Sequence, residues 1–121
     1  MQLGLVIYAT QLEKLSAFYT EVFDLAVIES EEFFYILSNG ITEIVLLETE
    51  FSKQLDITEH RFATAIKPTF FIDTPLKEIT SRVLKHGGHM FPAKKWEFGG
   101  RTVCDGCDPD GNIFQCRIAH D

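Results

Sequence analysis

Residues able to do chemistry are few and scattered in this 121-residue chain. Cys104-Asp105-Gly106-Cys107 forms a C-x-x-C, and Cys116 follows on the far side of a turn. A second such pair would suggest zinc, and a neighbouring βαβ pattern a redox site; neither context is present. Positions three apart on a strand point to opposite faces. Cys104 and Cys107 could therefore share a ligand only if Gly106 makes a bulge, with Cys116 as a third thiol across the hairpin. Buried free thiols packing as small apolar groups is the simpler expectation. His60, His86, His89 and His120 are dispersed, with His86 placed where a helix C-terminus would tolerate a cation. Spacing assembles no Ser/His/Asp or Cys/His set, and no Gly-rich phosphate loop is present. Trp96 is either a flat stacking wall for an aromatic or cationic ligand or a core or dimer-interface side chain. Arg101 is expected to pair with one of the many carboxylates, with anchoring of an anionic ligand group as the alternative.

The elements that must position these residues fall into a repeated order. Leu3 to Ala9 reads as a strand. Thr10-Gln11-Leu12-Glu13 matches a capping box, and Leu12, Leu15, Tyr19, Val22 and Phe23 follow at helical spacing. This predicts a helix over 11–23. Ala26–Glu29, Phe33–Leu37 and Ile41–Glu48 read as strands, the last two joined by an Asn39-Gly40 hairpin signal. Residues 51–66 have no clean period and form the expected connector, with one helical turn near Ser52–Leu55. Thr69–Asp73 reads as a strand. Thr74-Pro75 is a helix start with Pro at the first helical position, and Gly87-Gly88 is the stop. His89–Phe98 is a strand interrupted by Pro92. Gly99-Gly100 then leads into Arg101–Ile118, a hairpin around Asp108-Pro109-Asp110-Gly111-Asn112. Superposing Thr10 on Thr74 also brings Leu12 onto Leu76 and Leu15 onto Ile79. Each half is a strand, a helix and three strands, and one half alone would leave a sheet face and a helix stripe under-buried.

Composition bounds the function. A hydrophobic content of 45% with 11 Phe supports a real core, in one domain or two small modules. The net charge of −7 repels phosphate backbones and disfavours nucleic acid. No apolar run is long enough for a membrane span, and the N-terminal residues lack a signal-peptide pattern. Three Cys is an odd count, which suggests reduced thiols in a cytoplasmic protein.

In this order and spacing the chain resembles the vicinal oxygen chelate superfamily of glyoxalase I, extradiol dioxygenases, and fosfomycin- and bleomycin-resistance proteins. Leu12 to Tyr19 with Val22-Phe23-Asp24-Leu25 is similar to the family's first-helix signature. Ile72-Asp73, Gly87-Gly88, Gly100-Arg101 and the Asp108–Asn112 turn are similar to its C-terminal signature. The resemblance covers nearly the whole chain. It implies an α+β fold, two βαβββ modules (about 1–50 and 67–121) whose curved mixed sheets surround a cavity.

The resemblance also implies where a metal would sit: on the first and last strands of each module, held by His, Gln or Glu. Those places carry Gly4, Leu46 or Leu47, Lys67 and Gln115. Gly and Leu cannot ligate, Lys would have to lose its proton, and one neutral amide does not hold a metal. The expectation is therefore a chain without metal or other cofactor that binds a small molecule, by analogy with bleomycin-resistance proteins. The ligand would be cationic or aromatic and the protein a homodimer. Lys67, Phe71, Trp96, Arg101 and Gln115 are the candidate ligand-binding residues, with Ile113 and Arg117 sharing the face of Gln115. For Lys67 a solvated strand-start residue is an equal reading; for Gln115 the alternative is a cross-strand hydrogen bond. Two other functions are a lyase, isomerase or dioxygenase with a displaced metal site using Gln115, His60 or a Cys, and a non-catalytic interaction module.

Overall fold

The computed structural model describes residues 1–54, 64–92 and 97–119, without the side chains of residues 97 and 98. Trp96, His60 and His120, considered above, lie outside the described residues. The chain divides into two compact units, Met1–Ile57 and Thr58–Asp121.

The first unit runs β1 (Gly4–Tyr8), α1 (Leu12–Phe23), β2 (Ala26–Ser30), β3 (Phe34–Ser38), β4 (Glu43–Leu47) and the short α2 (Glu50–Lys53). Its strands form one mixed sheet in the order β1-β4-β3-β2. β1 and β4 are parallel, with Gly4 opposite Glu43 and Tyr8 opposite Leu47, while β3 is antiparallel to both its neighbours. Strand alternation puts Leu37, Ile44 and Leu46 on one face. All three are fully buried, and α1 packs on these strands with Leu15, Phe18, Tyr19 and Val22 turned inward. Gly4, Val6, Val45 and Leu47 lie on the other face. The expected ambiguity between Leu46 and Leu47 is thereby resolved: Leu47 shares the face of Gly4, and Leu46 is core.

The second unit runs β5 (Thr69–Ile72), α3 (Leu76–Lys85), β6 (His89–Met90), β7 (Glu97–Phe98), β8 (Arg101–Cys107) and β9 (Ile113–Ala119). The sheet order is β5-β9-β8-β6, with β7 also on β8. Here too the first strand is parallel to the last, with Thr69 opposite Gln115. Phe70, Phe114, Cys104 and Cys116 share one face, where the Phe70 and Phe114 rings meet edge to face at 6.1 Å. Gly106 has no room for a side chain: a Cβ would lie 2.6 Å from Met90 Sδ, 2.7 Å from Phe114 Cζ and 2.9 Å from His89 O. With β6 and β7, which both pair with β8, counted as one strand, the βαβββ order repeats, and this is the α+β architecture expected from the sequence.

Three local readings shift. The cap position of α1 falls on Gln11 rather than Thr10, and the Gln11 side chain makes no cap bond. Pro75 is itself the cap of α3 and not its first helical residue. Its ψ of 146° is extended, and its carbonyl accepts from Glu78 and Ile79. The Asn39-Gly40 turn is present, but only Gly40 takes a positive φ among those two residues. Asn39 acts through its side chain instead, accepting from the amides of Ile41 and Thr42 at 2.9 and 2.7 Å. Over the strand predicted for His89–Phe98 with an interruption at Pro92, the described residues form two short pieces, His89–Met90 and Glu97–Phe98.

Other devices match the sequence reading. α3 ends in a Schellman arrangement: Gly87, at φ 89°, donates to Leu84, and Gly88 donates to Val83. In the Asp108–Asn112 turn the Gly111 amide donates to the Asp108 carbonyl at 2.9 Å, and Gly111 has φ 81°. The Asp108 carboxylate ties that turn together from inside. Its Oδ1 accepts from the amides of Asp110 and Asn112, and both its oxygens accept from Asn112 Nδ2.

Candidate functional site

The second sheet gathers a chain of polar side chains on the face opposite its Phe70–Phe114 core. Alternation on β9 turns Gln115 and Arg117 to this face, and β5 adds Thr69 and Phe71. From β8 come Asp105, opposite Gln115, and Arg101, opposite Ala119. Lys67 precedes β5 and reaches past β9, placing Nζ 2.7 Å from Asp105 Oδ2. The other Asp105 oxygen accepts from Gln115 Nε2 at 3.4 Å, and Gln115 Oε1 accepts from Arg117 Nε at 3.1 Å. Asp105 and Gln115 are both buried. A buried carboxylate is tolerated only when paired and hydrogen-bonded, which is what Lys67 and Gln115 provide.

Phe71 lies at the end of this network and is 64% exposed. The Arg117 and Arg101 guanidinium carbons lie 5.3 and 5.6 Å from its ring centroid. Arg101 is also held structurally. It donates to the carbonyls of Ile72 and Arg117 and pairs with Asp73 at 3.4 Å, the carboxylate pairing expected for it.

Four of the five predicted ligand-binding residues therefore share one face: Lys67, Phe71, Arg101 and Gln115. Trp96, the fifth, is outside the described residues. Asp105 is the residue that sequence reasoning missed. In the sequence it stands out only as the second letter of the C-x-x-C, while its partners are Lys67, ahead of β5, and Gln115 on β9. The alternation of β8 was the available signal, because it puts Asp105 directly opposite Gln115.

The three cysteines are free and buried. The unbroken β8–β9 register leaves Cys104 and Cys107 on opposite faces, without the Gly106 bulge a shared ligand would need. Cys104 donates its thiol to Phe91 O at 2.9 Å. Burial, then the nearby Cys104 and Asp105, push the Cys116 thiol well above its ordinary range. Burial also raises Cys107. Neither has the depressed value of a reactive thiolate.

Residues at the places where the resemblance would put a metal do not fit one. Gly4 and Leu47 offer no donor. Lys67 Nζ is in an ion pair, and both polar atoms of the Gln115 amide are engaged within the protein. Among the described residues no three His, Cys, Asp or Glu side chains converge as a metal site. The first unit has a separate open recess of about 490 Å³ at the start of α1, lined by Gln11, Glu13, Lys14, Glu32, Tyr35 and Glu48. None of the predicted site residues line it.

Solved structures of the same fold are known. A glyoxalase/bleomycin resistance protein/dioxygenase family enzyme from Burkholderia phytofirmans PsJN is similar with a TM-score of 0.74 and 20% identity, over 97% of each chain. The genomically encoded fosfomycin resistance protein FosX from Listeria monocytogenes is similar with a TM-score of 0.70 and 20% identity, over 99% of this chain and 92% of that one. A glyoxalase/bleomycin resistance protein from Albidiferax ferrireducens T118 gives a TM-score of 0.70 at 14% identity, over 97% of each chain. The chain thus has the glyoxalase/bleomycin-resistance fold, that of the vicinal oxygen chelate superfamily. No family model matches its sequence, and no curated protein matches it. No described helix is long and apolar enough to cross a membrane.

Proposed function

We propose that this protein is a metal-independent small-molecule binder of the glyoxalase/bleomycin-resistance type, using the polar face of its second sheet. The observation that carries this reading is the engagement of Lys67 and Gln115. At places where metal-dependent relatives put ligands, this chain puts an ammonium ion paired with Asp105 and an amide whose two ends are both bonded. In this network the buried Asp105 and Gln115 side chains find their hydrogen-bond partners within the protein. Phe71 and Arg117 beside it provide a flat apolar surface with an oriented polar group, the usual make-up of a ligand site.

The reading includes a cytoplasmic homodimer. Three free thiols suit a reducing compartment. Val6 and Tyr8, 57% and 48% exposed, and Phe51, whose ring meets Tyr8 at 6.4 Å, form an apolar patch on the first unit that a second copy would cover.

Metal analysis of protein purified without chelator tests the central claim, followed by titration with Zn²⁺, Ni²⁺ and Mn²⁺. The expected result is substoichiometric metal and no rise in melting temperature beyond that of a Gln115→Ala control. One tightly held equivalent, lost in that control, overturns the reading. Light scattering tests the dimer.

A further inference from the structure

We propose that Asn39 is a modification site, where the chain rearranges without an enzyme through a cyclic imide to aspartate and isoaspartate. The chemistry needs a side-chain carbonyl that the next residue's amide nitrogen can reach, and glycine hinders that approach least. Three places in the sequence qualify: Asn39-Gly40, Asp105-Gly106 and Asp110-Gly111. The structure separates them. Asp105 and Asp110 are 7% and 0% exposed, and a carboxylate is a poorer electrophile than a neutral amide. Gly106 sits inside β8, paired with Met90 on one side and Phe114 on the other. The Gly111 amide donates to the Asp108 carbonyl at 2.9 Å. Asn112, the other asparagine, precedes branched Ile113, and its side-chain nitrogen is bonded to both Asp108 carboxylate oxygens.

Asn39 and Gly40 are both exposed in the turn between β3 and β4. Asn39 Oδ1 accepts from the Ile41 and Thr42 amides at 2.9 and 2.7 Å, which folds the side chain forward over Gly40 instead of out into water. Two backbone donors on one carbonyl oxygen also stabilise the oxyanion that forms when a nucleophile adds. Gly40, beyond the end of β3, donates its N–H to Ser38 Oγ at 3.0 Å in a solvent-exposed bond, where hydroxide can take the proton. The nitrogen then bonds to Asn39 Cγ, the Cγ–Nδ2 bond breaks, and ammonia leaves with a proton from water. Water next opens the imide. Opening at Cγ gives aspartate, and opening at the α-carbonyl gives isoaspartate. The sum is one water in and one ammonia out, with no change of oxidation state. Aspartate keeps an acceptor for the Ile41 and Thr42 amides. Isoaspartate turns that carbonyl into a peptide link and lengthens the main chain between β3 and β4 by one carbon.

The test incubates the full chain in mildly alkaline buffer, folded or in guanidinium, and maps its peptides by mass spectrometry after chromatographic separation of isomers. In the folded protein the peptide holding Asn39 is expected to gain about one dalton, the difference between an amide and an acid, as two separable isomers. The gain should slow in mildly acidic buffer. The peptide holding Asp105 and Asp110 should stay single in the folded protein and split into isomers only in guanidinium. Gly40→Ala finds open space for its methyl group but crowds the attacking nitrogen, and should lose the gain over the same interval. Gly40 has φ 89°, so alanine is strained there, and circular dichroism checks that the variant folds. Asn39→Gln, which must close a larger ring, is the second variant and should lose the gain too. Asn39 unchanged in the folded protein, whatever it does in guanidinium, overturns the proposal. Conversion of Asn39→Gln at the wild-type rate overturns the imide route. Isomers at Asp105 or Asp110 in the folded protein overturn the selection of a single site.

Discussion

Lys67 Nζ and Asp105 Oδ2 lie 2.7 Å apart although 38 positions separate the residues in the chain. The side chains are 30% and 10% exposed, so the pair is partly shielded from water. Breaking such a pair by removing one charge costs more than the pair contributes, because the other group keeps its desolvation penalty. Asp105→Asn is expected to destabilise the protein by ~1–3 kcal/mol. Lys67→Met should cost less, since its ammonium group is the more exposed. Urea unfolding of both single variants and the double should give a coupling energy of about 1 kcal/mol. Strict additivity would mean that the pair is not a functional unit.

Gly106 should resist enlargement. Its Cβ would meet Met90 Sδ, the end of a flexible side chain, but also the buried Phe114 ring and the His89 carbonyl oxygen, which is backbone. Gly106→Ala is expected to cost ~1–3 kcal/mol through overpacking. Adding Met90→Ala should recover only part of this, because the carbonyl contact remains. Thermal melts of the single and double variants check both outcomes.

Asp108 should matter more than its place in a surface-type turn suggests. Asp108→Ala leaves the Asp110 and Asn112 amides without their acceptor, and the expected loss is ~2–3 kcal/mol. Asp108→Asn retains one acceptor oxygen and should lose roughly half as much. Denaturant midpoints at constant m-value would show this order.

Alkaline stability follows from the thiols. The folded-state values of Cys116 and Cys107 are raised above the ordinary thiol value of about 9. The folded protein therefore keeps these protons at a pH where the unfolded chain releases them. Their contribution is fully present below about pH 9 and is lost as pH rises beyond it. Melting temperature should fall between pH 9 and 11, and Cys116→Ala should show a shallower fall from a lower starting value. A disulfide-exchange reagent such as Ellman's should react slowly with native protein and fully after unfolding. Rapid reaction of the native thiols would contradict the burial of all three.

The repeated βαβββ order was readable because its punctuation is local: glycines at helix ends, Asn39-Gly40, and the Asp108–Asn112 turn. What shifted was also local, by one residue at Gln11 and Pro75, where neighbouring residues compete for the same cap. The break in the strand over residues 89–98 was readable because Pro92 cannot donate to a ladder. The site was half legible. Lys67, Phe71 and Gln115 share a face by alternation alone. Asp105 was hidden because what makes it important is a partner 38 residues away and another on the adjacent strand. No periodicity encodes a long-range ion pair. The C-x-x-C was the louder signal at that position, yet its thiols turn to opposite faces.

The parallel pairing of first and last strands in each unit has a consequence for synthesis. β1 meets no partner until α1, β2, β3 and then β4 have been made. A ribosome-bound chain ending before Glu43 therefore carries GLVIY as an unpaired, apolar, uncharged segment, the kind of stretch that nucleates aggregation. Chaperone demand should peak over that interval of elongation and drop once Leu47 emerges. β5 faces the same wait for β9. Nascent chains arrested at successive lengths should thus become protease-resistant in two abrupt steps, one per unit.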